Sequence, residues 1–92
     1  MKKRGDFLDE ANSLINGARN QAHGDPLENH QRIAGIWSVI LGVEISAYQA
    51  SLMMVGLKLA RASYAPIDDT FIDMCGYAAI SGEISHREER PL

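Results

Sequence analysis

One cysteine, one tryptophan and three prolines are the scarce residues of this 92-residue chain. With Cys75 alone, no disulfide can form within the chain, and a reducing cytoplasm suits it. Set in an apolar run, its thiol is expected to serve as a small hydrophobe of the core. No apolar run is long and free enough of charge to span a bilayer, so no membrane partner is expected. The start Met1-Lys2-Lys3-Arg4 is basic, but acidic and polar residues follow it, so no signal peptide is expected. An excess of basic residues is missing too. A formal net charge of −3 and a pI near 5.5 argue against broad, sequence-independent nucleic-acid binding, which needs Lys and Arg to displace counterions. Glycine-rich phosphate loops of the Walker or Rossmann type are absent, and His23, His30 and His86 match no zinc spacing. There are no internal repeats.

What remains is helical patterning, and the expected fold is all-α: one compact four-helix, bundle-like domain over residues 1–84, followed by a mobile charged tail over 85–92. The first helix is expected from Asp6, as N-cap, to about Ala22, with Phe7, Ala11, Leu14, Ala18 and Ala22 as one stripe. Gly17 weakens its middle and invites a bend. Gly24 stops it. Asp25 then caps a second helix, with Pro26 in the first position and Glu28 completing a capping box. Ile33, Ile36, Trp37, Ile40 and Leu41 are its expected buried face, and Gly42 its end. Ser46, with Gln49 three residues on, starts a third helix that runs to Ala62 before Pro66. The fourth starts near Asp68 or Asp69. These last two helices are apolar nearly all round and are expected to form the centre. Hydrophobic residues make up 46% of the chain, while a monomer of this size buries only roughly 60% of its unfolded surface. A second copy is therefore an expected cover for apolar surface, and the chain an expected homo-oligomer.

Lys58 and Arg61 interrupt the apolar third helix and demand anionic company. Candidate acids are Asp25 and Glu28 at the second helix start, and Asp69 and Asp73 at the fourth. For Asp73, whose helical neighbours Gly76, Tyr77 and Ile80 look half-buried, an ion pair with Lys58 or Arg61 stands beside a ligand site. Asp25 and Glu28 have a capping role, beside a second reading as ligands of a divalent cation. Lys58 and Arg61 can snorkel to the surface or clamp a phosphate. Arg19 and Arg32 are candidate helpers, and Tyr77 a stacking surface.

The segments Asn16-Gly17-Ala18-Arg19, His23-Gly24-Asp25-Pro26-Leu27-Glu28-Asn29 and Arg32-Ile33-Ala34-Gly35-Ile36-Trp37 carry a resemblance. So do Leu41-Gly42-Val43-Glu44-Ile45, Leu52-Met53-Met54, Lys58-Leu59-Ala60-Arg61 and Asp69 through Asp73 to Gly76-Tyr77-Ala78-Ala79. Together, over roughly residues 8 to 84, they resemble a family of small phage and prophage proteins classed as a domain of unknown function, DUF6378. The family usually carries Tyr where this chain has His23. The resemblance implies a phage accessory protein acting in the cytoplasm of an infected bacterium. A fold-level likeness to the all-helical nucleoside triphosphate pyrophosphohydrolases implies magnesium held by acidic pairs. Here the nearest equivalents are Asp25-x-x-Glu28 and Asp69-x-x-x-Asp73, the second with a different spacing.

The leading expectation is a non-enzymatic binding protein that antagonises host antiviral defence, by sequestering a signalling nucleotide or blocking a host defence protein. Its ligand residues would be Lys58, Arg61, Asp69, Asp73, Arg32, Arg19 and Tyr77, with no cofactor. The alternative is a magnesium-dependent nucleotide pyrophosphohydrolase, with Asp25, Glu28 and Asp73 around the metal.

Overall fold

The computed structural model describes residues 1–87, apart from the side chains of Ala18 and Arg19. The chain is all-α, with five helical segments among the described residues: α1 (Arg4–Asn16), α2 (Ala18–His23), α3 (Pro26–Leu41), α4 (Ala47–Tyr64) and α5 (Asp68–Arg87). The first expected helix is thus two, α1 and α2, and it begins earlier. Lys3 is its N-cap, while Asp6 sits in the first turn and accepts the Lys3 amide at 2.8 Å. The break falls at Gly17, where an added Cβ would lie 2.8 Å from the Ser13 carbonyl oxygen.

The other helix boundaries follow the cap chemistry. The Asp25 carboxylate accepts the Glu28 amide at 3.2 Å with Pro26 in the first turn, and Gly42, at φ 71°, ends α3 in the left-handed region that suits glycine. Ser46 and Gln49 form a reciprocal capping box, 3.1 and 3.0 Å. At the far end, Ser85, His86 and Arg87, expected in the tail, extend α5. The rest of that tail, residues 88–92, lies outside the described residues.

Helix α5 is the hub. It lies against α1 and α4, and α3 packs on α4 and touches α5, while α2 joins α1 to α3. The α4–α5 seam is antiparallel. Ser51 meets Ser81 at 2.8 Å, and Lys58, two turns on, meets Asp73, about two turns before Ser81. Small residues make this approach close: Ala47, Ala50 and Ser51 on α4 are buried, as are Gly76 and Ser81 on α5. Ile80 and Ile84 fill the space against Ala47, with Ile15, Leu27 and Tyr48 around them. On the other side of α5, Gly76 admits Ile15, whose Cγ2 would be 2.9 Å from an added Cβ.

The largest departure from expectation is which side chains are covered. Ile36, Ile40 and Leu41 of α3 are exposed, whereas His30 and Ala34 are buried and Ile33 and Trp37 half-buried. The C-terminal half of α3 is apolar on every side, so spacing alone could not select the stripe that faces α4. The small side chain of Ala34 allows the closer approach. Helix α4 likewise occupies the centre with only one face, leaving Leu52, Met53, Leu57 and Leu59 exposed. The radius of gyration, 13.7 Å, exceeds the ~12 Å typical of this length, in keeping with a spread of helices that leaves apolar faces open.

Gly76→Val should lose about 1–3 kcal/mol in urea unfolding, because the new side chain overpacks the α1–α5 contact. Gly82→Ala, at an open helical position, should gain about 0.5–1 kcal/mol by the same measurement.

Candidate functional site

Among the described side chains, the charged residues picked out by the sequence do not gather at one place. Lys58 reaches across the seam to Asp73, with Nζ 3.0 Å from Oδ2 and the two side chains only 12% and 20% exposed. Both charges are well shielded from water, so the Lys58 ammonium depends on this carboxylate. Arg61, one turn on, is exposed and stands outside that pair. Asp69 is also exposed and lines a shallow depression beside Asp9 and Glu10 of α1, on another flank of α5. Lys2 enriches that acidic flank, pairing with Glu10 at 2.7 Å and lying 3.7 Å from Asp68.

The second acidic pair is divided as well. Asp25 caps α3 and binds the Arg87 guanidinium at 2.8 Å, tying the end of α5 to the start of α3. The Arg87 hydrogen bond holds the Asp25 carboxyl below the usual carboxylate range, against partial desolvation and with help from the Glu28 and Leu27 amides. Glu28 is exposed, and Arg32, instead of pairing with it, reaches the His23 carbonyl at 3.4 Å. Among the described residues no three His, Cys, Asp or Glu side chains cluster closely enough to hold a metal ion. Asp25, Glu28 and Asp73 therefore do not fit a magnesium ion as a set.

Two features were not legible in the sequence. The first is the junction of α2, α3 and α5, where a cavity of about 30 Å³ is lined by Asn20, His23, Asn29, His30 and Tyr77. His30, 2% exposed, sends Nδ1 to the Pro26 carbonyl at 2.8 Å and stands edge-on to the Tyr77 ring. A carbonyl can only accept, so Nδ1 donates to it, and Nε2 is buried and without a partner among the described residues. The space suits one water-sized polar group, far less than a nucleobase. Of the expected ligand residues, Tyr77 lines this junction and Arg32 borders it. Arg19 belongs to the adjoining α2, and its side chain lies outside the described residues. The only signal for His30 was its place one turn before Ala34.

The second is an open groove of about 650 Å³. Phe71, Met74, Cys75 and Ala78 form its floor along α5, Phe7 of α1 and Val55 of α4 its walls, and Arg4 part of its rim. Among the described residues the α1 and α4 backbones make no close approach, so they stand apart as walls. Phe7 and Phe71 close one end edge-to-face at 6.2 Å. Cys75, expected in the core, is half-buried in this floor. The sequence showed only that this helix is apolar nearly all round; it could not tell that no other described residue lies over this side of it.

Comparison with known proteins places this geometry in a family. A family model described as a domain of unknown function (DUF6378) matches residues 6–85. The Gene 55 protein of Mycobacterium phage L5 is 41% identical over 76 residues, covering 80% of this chain and 49% of the relative. The Gene 55 protein of Mycobacterium phage D29 is 42% identical over 73 residues, covering 78% and 48%. The chain thus spans about half the length of the curated relatives it matches. No solved structure matches it.

Lys58→Met should lower stability by about 1–3 kcal/mol by removing the ion pair with the shielded Asp73 carboxylate, as urea unfolding would measure. At the other pair the lowered Asp25 pKa has a definite sign. Its contribution to stability is present above the ordinary carboxylate range and is lost as pH falls through the depressed folded value. Carboxyl NMR titration should find Asp25 below that range, and Arg87→Ala should return it upward while flattening the fall in Tm below about pH 4.

Proposed function

The chain is a phage protein that belongs to the DUF6378 family, and from that premise we propose that it antagonises host antiviral defence by binding, not by catalysis. Of the two expected modes, obstruction of a host protein has the better support. The observation that carries it is the groove over α5, because it offers about 650 Å³ of apolar space while the shielded cation Lys58 is occupied by Asp73. A phosphate would find neither that cation nor a converging set of donors there.

The groove suits an amphipathic helix from the partner. Its floor residues recur at i, i+3, i+4 and i+7, the spacing at which a docked helix places its own anchors. Arg4 at the rim favours a partner with an acidic residue beside those anchors. The protein acts in the cytoplasm of the infected bacterium in this reading. Among the described residues no helix is long and apolar enough to cross a membrane.

Two measurements test the proposal. A complex isolated from infected-cell lysate should weaken roughly tenfold or more with Ala78→Glu, which puts a charge on the groove floor, and should be indifferent to Arg61→Ala. Equilibrium dialysis against cyclic and linear nucleotides should show no retention. Nucleotide retention lost in Arg61→Ala would overturn the reading in favour of sequestration. Magnesium-dependent hydrolysis of a nucleoside triphosphate, abolished by chelator, would overturn it in favour of an enzyme.

A further inference from the structure

Helix α3 carries a second unpartnered face, on the side away from its packing contacts, and its charge pattern identifies an occupant. Ile36, Val39 and Ile40 follow one another at i, i+3 and i+4 on α3, Val43 comes just beyond its Gly42 end, and all four are more than half exposed, Val39 to 83%. At the N-terminal end of this stripe, four residues before Ile36, stands exposed Arg32, and at the other end, next to Val43, exposed Glu44. Between Arg32 and Lys58 the chain has no other charge than Glu44. The face is therefore a cation, an apolar band of about two turns, and an anion, in that order.

We propose that this face binds the same face of a second copy, with the two α3 helices antiparallel about a two-fold axis near Val39. A two-fold contact presents one patch to itself, so the patch must be self-complementary. Antiparallel pairing meets that condition here. It sets Arg32 of each copy beside Glu44 of its partner, while the apolar bands meet in the middle without an opposed charge. Parallel pairing would bring like charges together at both ends, and a partner of uniform charge would meet repulsion at one end. Leu41, Leu52 and Met53, beside the turn from α3 to α4, are also exposed and add to the apolar surface that a second copy would cover. The Arg32 guanidinium, now 3.4 Å from the His23 carbonyl, needs only a rotamer change to reach across.

The pairing leaves the α5 groove open, so this inference stands or falls separately from the proposed function. Sedimentation velocity of the full chain over about 1–100 µM tests it. The wild type should sediment as a dimer, and Val39→Asp, at a position too exposed to affect the fold, should raise the dissociation constant roughly tenfold or more with an unchanged helical circular dichroism spectrum. Register is read by charge reversal: Arg32→Glu and Glu44→Arg should each weaken the dimer, and the two together should restore it. A monomeric wild type, a dimer indifferent to Val39→Asp, or a double reversal no better than either single change would overturn the proposal.

Discussion

Ser51 and Ser81 lie 2.8 Å apart in the middle of the α4–α5 seam, and the closeness of that contact governs the rest of the molecule. Hydroxyls can meet at such a distance only if no bulky side chain separates the helices. Ala47, Ala50 and Gly76 keep the space small. Each hydroxyl also has a carbonyl acceptor in its own helix, Tyr48 for Ser51 at 2.7 Å and Tyr77 for Ser81 at 2.8 Å, so the single Ser81 proton goes either to Ser51 or back to Tyr77. The polar centre is thus satisfied within the seam. It fixes the antiparallel register that brings Lys58 to Asp73 two turns away.

A narrow seam has a consequence for the surface. With small residues inside, many of the larger apolar side chains are left outside: Val39, Ile40, Leu52, Leu59 and Phe71 are all exposed. The hydrophobic driving force available to a 92-residue chain is only partly used in folding. Part of the remainder lies in the α5 groove and part on the outer stripe of α3. One suits a partner helix of different sequence, the other a second copy of this chain. Of the cations suggested for a ligand, Lys58 pairs with Asp73 within the fold and Arg32 reaches the His23 carbonyl at its edge.

How much of this was legible depended on whether the signal was local. Cap residues act through their own neighbours, so Asp25, Pro26, Ser46 and Gln49 marked helix starts correctly, and Gly17 marked the break between α1 and α2. A charge amid apolar neighbours is also a local signal, and Lys58 did find Asp73. Facing was different. α3 has apolar residues on every side of its second half, so periodicity assigned Ile36 and Ile40 to the interior when the small residue Ala34 had that place. His30 was hidden for the opposite reason, because a lone imidazole has no spacing to recognise. The groove could not be read at all, since it arises from the separation of α1 and α4, which no single helix encodes.

The α4–α5 register is the claim on which the groove, the Lys58–Asp73 pair and the exposed stripes all depend. Its most direct test is oxidation of Ser51→Cys/Ser81→Cys in a Cys75→Ala background. The seam predicts rapid formation of a disulfide within one chain, with helical content retained, because the two side chains already face each other at bonding range. Failure to crosslink, with ready crosslinking of Leu52→Cys to Gly82→Cys in the same background, would mean that the helices meet in another register.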